Sequence, residues 1–521
     1  MAEYRLKPAV ILTADRTLFA DYRILFEGIF ATMQTTKVPL WAMRRFVAPR
    51  VRTSSAGRAL VAPLGLRRVE SALIQRLGLS PEEVVCTTPE RLPSLIGPWV
   101  KAVCFSSSDP LGMGMSNTTT TQFWSGELYT RYFSRQQLEY LRKAKNKYAF
   151  KVVGGGAGAW QWLYYKDPAA QETLDCIYEG YFEDAGPELF KRILNGKSVD
   201  RHIRADAVGA AHICPIRGAS GLGIIELSRG CGRGCRFCTI ARKKMEHLPA
   251  DIILSDLQTN VSAGIRSVVS GSEDFFRYGS SGLKPDFEKL RALLIQMRQI
   301  QDLSFMQIDH ANITSIAQLT DEQLREIRRL LSWQKPSRYL WVNMGAESAS
   351  GALVAANCPG KIAPYRPEDW EGLLYETAER ITRNGFFGVF SLVLGLPGET
   401  PDDIARTRKL VRYLEHQNAV VFPVFYEPSN AGDISQGQRF TIETMQSEHL
   451  ELYQACYEIN FRKVPLLFWD NQRCGGVPWA KRLAMRLLGR GEIKQWRRAF
   501  RKTAERIRSR TRAAGSVKNA G

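Results

Sequence analysis

The sequence lacks any apolar run long enough to cross a bilayer. Its best stretch, Phe386 to Leu396, stops at Pro397 and Gly398 well short of the roughly 20 residues a spanning helix needs, and reads as a buried strand. A secretory leader is also missing: Arg5 and Lys7 are followed only by the short Pro8-Ala-Val-Ile-Leu12 segment, with no small-residue cleavage site. A cytoplasmic location is therefore expected. Histidine is scarce, and all 6 copies lie at His202 or later, so the first 200 residues offer no imidazole to a metal. The 10 cysteines are too thinly spread for a disulfide framework. Seven of them stand singly (Cys86, Cys104, Cys176, Cys214, Cys358, Cys456 and Cys474) and read as small core residues. Acidic residues are in deficit, 52 against 72 Lys and Arg, for a net charge of +20. Over half of that excess sits between Lys481 and the C-terminus, where only Glu492 and Glu505 oppose a run of basic residues.

What is present is a globular composition, 44% hydrophobic over 521 residues, which is enough for two or three domains with cores of their own. No repeat of solenoid length occurs. In the first 200 residues short apolar runs (Ala9–Leu12, Val84–Cys86, Ala102–Phe105, Val152–Val153) alternate with helix-length segments such as Leu66–Leu79. That alternation predicts a parallel, Rossmann-like (flavodoxin-like) α/β sheet over 1–205. Ligands gather at the carboxyl ends of such strands, where Ser106-Ser107-Ser108 and Gly154-Gly155-Gly156 are expected to follow two of them. The pattern recurs more regularly over 206–428. Strands are predicted at Gly223–Leu227, Arg266–Ser270, Ser304–Ile308, Tyr339–Met344, Gly388–Leu394 and Ala419–Phe425, with helices at Asp286–Ile300, Thr320–Leu331, Pro367–Arg383 and Pro401–Gln417. Six βα units imply a partial (β/α)6 barrel with its site at the strands' C-terminal ends. From 429 to 521 the chain reads as helical and basic.

Three cysteines crowd into Cys231-Gly-Arg-Gly-Cys235-Arg-Phe-Cys238, just past the first predicted barrel strand. Three thiolates on one loop can hold a [4Fe-4S] cluster while leaving one iron without a protein ligand. S-adenosylmethionine (SAM) can chelate that iron through its amino and carboxylate groups. The competing reading is zinc, which wants a fourth Cys or His, and His212 and His247 form no such pair. The spacing, with Phe237 as the aromatic before the last cysteine, resembles the radical SAM superfamily. That resemblance assigns the three cysteines to the cluster and further residues to SAM: Gly271 and Glu273 of Gly-Ser-Glu to its amino group, Glu347 and Ser350 of Gly345-Ala-Glu-Ser-Ala-Ser to ribose and carboxylate, and Gly395 of Gly395-Leu-Pro-Gly-Glu399 to the turn beside adenine. Taken singly, such glycines are also ordinary turns, and such acids ordinary helix starts.

Residues 8–200 resemble the cobalamin-binding domain that precedes many such barrels. The likeness rests on Ser107 in the serine-rich strand end, on Gly154 and Gly155, and on Asp175-Cys-Ile-Tyr-Glu179-Gly180. It departs at the lower ligand to cobalt: Arg16-Thr17-Leu18 follows Asp15 where a histidine motif would begin. The alternative is a flavodoxin-like domain without a cofactor.

In the basic tail, Trp479, Leu483, Met485, Leu487, Leu488, Ile493, Trp496, Phe500 and Ile507 are interleaved with Lys and Arg. This is a composition for peripheral contact with an anionic membrane, ahead of nucleic acid, or for a solvated helix face. The resemblance implies hydrogen abstraction followed by methylation or carbon–carbon bond or ring formation at an unactivated carbon of a small molecule or lipid. It also implies an external electron donor of flavodoxin or ferredoxin type. Two alternatives are tRNA methylthiolation, for which Cys86, Cys104 and Cys176 poorly match a second cluster set, and a non-catalytic iron–sulfur protein. Tyr278, Asp309 and His310 lie near predicted strand ends, but no side chain is singled out as catalytic.

Overall fold

A computed structural model describes residues 6–332, 338–429 and 431–518. Its first sheet holds six strands: β1 (Val10–Ala14), β2 (Val84–Cys86), β3 (Ala102–Ser106), β4 (Lys151–Gly155), β5 (Cys176–Gly180) and β6 (His202–Ala205). All are parallel, in the order β2-β1-β3-β4-β5-β6, so the direction of winding reverses between β1 and β3. Gly154 and Gly155 belong to β4 rather than following it, and the Asp175–Gly180 segment is largely the strand β5. The sequence reading also missed β6, because His-Ile-Arg-Ala is an edge strand whose polar residues face solvent.

A curved second sheet follows, built from β7 (Ile224–Glu226), β8 (Ser267–Gly271), β9 (Phe305–Ile308), β10 (His310–Ala311), β11 (Leu340–Glu347), β12 (Phe386–Leu394) and β13 (Ala419–Phe425). The six predicted barrel strands are all present, and the third is split at Asp309. Below the break β9 pairs with β8; above it β10 pairs with β11. Seven helices matter to the argument: α1 (Leu25–Thr32), α2 (Leu64–Leu77), α3 (Met115–Phe123), α4 (Gly351–Asn357), α5 (Pro401–Leu414), α6 (Ser447–Cys474) and α7 (Trp479–Lys518). Local chemistry sets their ends. Gly78 takes a left-handed φ of 67° after α2, and Thr400 and Asp403 form a capping box with Pro401 in the first turn of α5.

The two halves are joined through buried charge. Arg229 makes two hydrogen bonds, of 2.9 and 2.6 Å, to the Glu183 carboxylate and a further 2.7 Å bond to Glu226. Arg68, on α2, reaches Glu226 at 3.2 Å and Asp256 at 2.5 Å. Burial opposes charge on Glu226, yet Arg229 and Arg68 pull its pKa below the ordinary carboxylate value.

Helices α6 and α7 pack against each other and against the barrel. One face of α7 joins the core: Trp496 and Phe500 pack on Phe123 at 5.4 and 5.9 Å, and Met485 and Ile507 are also buried. This differs from the single surface face expected from composition, because the large apolar residues of the tail divide between core and solvent. Trp479, Leu483, Leu487 and Leu488 remain exposed.

Replacing Arg229 by Met leaves the Glu183 carboxylate buried without its partner. Chemical denaturation of Arg229→Met is expected to show a loss of about 3 to 5 kcal/mol. A loss below about 1 kcal/mol would mean that the pair is not a structural joint.

Candidate active site

The cysteine loop leaves the barrel beside a two-residue antiparallel pair, Ser228–Arg229 against Glu246–His247. Gly230 opens it with φ 74°, and a Cβ there would lie 2.2 Å from the Lys244 carbonyl oxygen, so no other residue fits. The Cys231 N–H donates to Lys243 O at 2.9 Å, and the Gly234 N–H to Ala241 O at 2.9 Å. Arg233, 2% exposed, anchors the loop from within. It donates to Gly360 O at 3.1 Å and to Ala363 O at 2.9 Å, and lies 3.4 Å from Asp274. Asp274 in turn accepts from Ser315 at 2.6 Å and from the Asn312 N–H at 3.2 Å. Sequence reasoning passed over Arg233, since nothing in Cys-Gly-Arg-Gly-Cys marks its arginine as buried.

Burial raises the pKa of the Cys231 and Cys238 thiols, Cys238 to about 12. The backbone N–H groups of Arg233 and Ile240 point at these two sulfurs and partly offset that rise. Cys235 lies in hydrogen-bond contact with Cys358, which follows α4, and that contact lowers the Cys235 pKa and raises that of Cys358. Cys358 was read as a core residue and is fully buried; only the fold brings it to the loop. Among the described residues no three His, Cys, Asp or Glu side chains surround a common metal position. The donor chemistry nonetheless suits an iron–sulfur cluster: three thiols on one loop, Cys235 buried and Cys231 and Cys238 half-buried, with backbone N–H groups aimed at sulfur.

The neighbouring strand ends carry the remaining candidates. Gly271 ends β8 and its carbonyl accepts from the Leu227 N–H at 2.8 Å. Ser272, where the resemblance leads one to expect glycine, is buried and shares a 2.5 Å hydrogen bond with Ser228. Glu273 receives no hydrogen bond among the described residues, and burial raises its pKa while His310 draws it down. Asp309, in the strand break, stands 3.1 Å from His310 Nδ1, and the His310 Nε2 lies 2.8 Å from the Asn343 amide. Burial works against a charged His310, but the Asp309 carboxylate prevails and pushes its pKa up to about 9.

Glu347 holds a φ of 60° at an irregularity in β11 and pairs with Lys361; a strained non-glycine residue of this kind is typical of a functional position. Ser350 accepts from the Leu353 N–H as the N-cap of α4. Gly395 donates to Glu399 at 2.8 Å, and Glu399 also meets His449 at 3.0 Å. Phe237 packs edge-on to Tyr426 at 6.4 Å, within the core. Tyr278 hydrogen-bonds Leu248 O at 3.0 Å and is buried.

A second cavity, of about 220 Å³, opens at the carboxyl ends of the first sheet. Ser106, Gly155, Gly156, Tyr178 and Gly180 line it, with Arg229 and Glu226 on the barrel side. Ser107 and Gly154 do not. Successive side chains alternate across a strand, and Gly154 faces Leu174 and Trp162 on the far side of β4, while Ser107 is buried against Ser134 at 3.2 Å. Gly156 is the glycine this edge requires, since a Cβ would lie 2.6 Å from the Ser107 carbonyl oxygen.

Residues 225–411 match the radical SAM superfamily and form a radical SAM domain. The ribosomal protein uS12 methylthiotransferase RimO of Myxococcus xanthus is 26% identical over 209 residues, 40% of this chain and 40% of its own length. A tRNA-2-methylthio-N(6)-dimethylallyladenosine synthase of Mycobacterium ulcerans is 23% identical over 41% of this chain and 39% of its own length. The match thus spans well under half of each curated relative. A longer likeness joins the chain to the radical S-adenosylmethionine methyltransferase TsrM of Kitasatospora setae, with TM-score 0.53 and 13% identity over 82% of this chain and 76% of TsrM. A second TsrM structure, with cobalamin and a [4Fe-4S] cluster bound, gives a TM-score of 0.52. At that identity the likeness is one of fold.

Two outcomes are expected here. After anaerobic reconstitution, Cys231→Ala, Cys235→Ala and Cys238→Ala each lose the four-iron absorption and paramagnetic signals, while Cys358→Ser keeps them. In addition, because His310 has its pKa raised from 6.5 to about 9, its stabilising charge is fully present below pH 6.5 and fades as pH rises through 9. The difference in Tm between wild type and His310→Gln should therefore shrink across that interval; a constant difference would exclude the ion pair.

Proposed function

We propose that this chain is a cobalamin-dependent radical SAM enzyme that methylates, or joins or cyclises through, an unactivated carbon. The observation that carries the reading is the glycine-lined cavity between the first sheet and the barrel, one wall of which is Arg229, two residues from Cys231. At about 220 Å³ it is far smaller than a whole corrinoid and would take only one edge or side arm of the cofactor, and no histidine lines it. A corrinoid seated there takes no imidazole from this domain.

Cys231, Cys235 and Cys238 would hold the cluster, which when bound to SAM supplies the electron that cleaves it and yields the 5′-deoxyadenosyl radical. Cobalamin would supply a methyl carrier, with Gly155, Gly156 and Ser106 admitting it to the sheet edge. Glu273, with no protein donor of its own, is placed to accept the SAM amino group. Lys361 pairs with Glu347 and so offsets its charge beside the cysteine loop. Asp309 and His310 stand across from Glu273 and can hold or release a proton at Nε2 for the substrate. The reductant is an external flavodoxin- or ferredoxin-type protein, and the substrate a small molecule or lipid. The enzyme works in the cytoplasm.

A second reading rests on the curated relatives, which methylthiolate a ribosomal protein or tRNA. It gains little from Cys86, Cys104 and Cys176, which are buried on three different strands of the first sheet.

Metal analysis of anaerobically isolated protein separates the two. About four irons and one corrinoid per chain, with 5′-deoxyadenosine formed from SAM, support the proposal; about eight irons without corrinoid support methylthiolation. Glu273→Gln should raise the SAM dissociation constant about tenfold or more, in keeping with a charged hydrogen bond of about 1.5 to 3 kcal/mol.

A further inference from the structure

A large apolar groove lies away from the site described above. It occupies about 520 Å³, a volume typical of pockets that hold small organic molecules, between α1, α6 and α7. Its walls are mainly aromatic and aliphatic, among them Phe30, Phe461 and Phe468. The polar groups at its edge are mostly cationic: Arg462, Arg482, Arg486 and Arg490. Arg482 and Arg486 stack over the Trp469 ring at 4.8 and 5.4 Å, which holds both guanidinium groups at the rim. Glu492 is the acid among the described lining residues, and burial pushes its pKa up to about 7, so it subtracts little from the arginines at neutral pH.

Two further observations point to a ligand. Gln472 lines the groove, is 1% exposed, and its side-chain N–H group has no partner; the Arg482 Nε is likewise buried and unpaired. A buried donor without an acceptor is costly, and two beside one apolar groove call for an anionic or carbonyl oxygen. Moreover, of the nine large hydrophobic side chains exposed in the described structure, Leu466 lines this groove, and Trp479, Leu483, Leu487 and Leu488 stand on α7, the helix that forms one of its walls. Trp479, Leu483 and Leu487 recur every fourth residue and so form one stripe on α7, beside the stripe that carries Arg486 and Arg490.

We infer that the α6–α7 groove is a site for an anionic phospholipid of a bilayer surface. The acyl chain lies along the aromatic wall, the head-group phosphate meets Arg482, Arg486 and Arg490, and Trp479, Leu483 and Leu487 enter the interface. An amphiphile with a negative head is the one class of ligand that matches an apolar groove, unpaired donors at its edge and a collar of arginines. Nucleic acid would satisfy the charges but not the groove or the exposed leucines.

Gly489 supplies a clean test. It lines the groove, and a Cβ there meets nothing within 4 Å, so Gly489→Trp adds bulk at the groove wall with no clash at its Cβ and with a gain in helix propensity. The full-length protein is floated with vesicles of phosphatidylcholine alone, or with about 30% phosphatidylglycerol, at physiological salt. Wild type is expected to float with the anionic vesicles and not the neutral ones. Gly489→Trp, Leu483→Ser/Leu487→Ser and Arg482→Glu/Arg486→Glu/Arg490→Glu should each weaken vesicle binding about tenfold or more, while 5′-deoxyadenosine formation without vesicles stays at the wild-type level in all three. Equal flotation of wild type and Gly489→Trp would overturn the inference. So would binding of tRNA in preference to vesicles, or saturation of the groove by a soluble fatty acid with no vesicle binding. Because deoxyadenosine formation is scored separately, failure of the lipid site leaves the proposed activity standing, and the converse.

Discussion

Arg229, with Arg68 beside it, ties this molecule's first sheet to its barrel. Arg229 lies two residues before the first cysteine of the loop and sends its guanidinium to Glu183 of the first sheet's domain and to Glu226 at the end of β7. Each of these carboxylates needs the cation, because a buried charge without a partner is far more costly than a solvated one. The joint therefore fixes more than a domain interface. It sets where the loop begins relative to the cavity at the first sheet's edge, and so how close a ligand in that cavity stands to the thiols.

The chemistry of the barrel mouth follows from a second constraint, the exclusion of water. Thiols with raised pKa, a carboxylate at Glu273 without donors, and a lysine held charged by Glu347 are all states that bulk solvent would erase. The fold maintains them by burying Arg233 beneath the loop, with Ser350, the cap of α4, buried as well. Few of these groups serve only themselves, and the side chains that pin the loop are as polar as those facing the mouth.

The barrel was legible in the sequence because its strands are buried on both faces and read as continuous apolar runs between helix-length segments, as at Phe386–Leu394. The cysteine spacing was legible for a different reason, since a short loop that supplies three sulfurs has few solutions. What escaped was whatever depends on distant parts of the chain meeting. Cys358 looked like any core cysteine until the turn after α4 brought it to Cys235, and nothing in the motif marked Arg233 as buried. The first sheet's glycines were expected after the right strand rather than within it, and which of them faces the cavity depends on a register that a run of three glycines cannot fix. At α7 composition gave the sum of two environments, one face packed on Phe123 and the other exposed.

The division of the third barrel strand at Asp309 has an effect on the shape of the wall. Hydrogen bonds run continuously on either side of that residue, but no ladder passes through it. The wall is therefore a three-stranded leaf and a four-stranded leaf meeting at a seam. Across that seam the cysteine loop acts as a clasp: it rises from the three-stranded leaf, and its Arg233 donates to Gly360 O and Ala363 O beyond β11 and α4 of the four-stranded leaf.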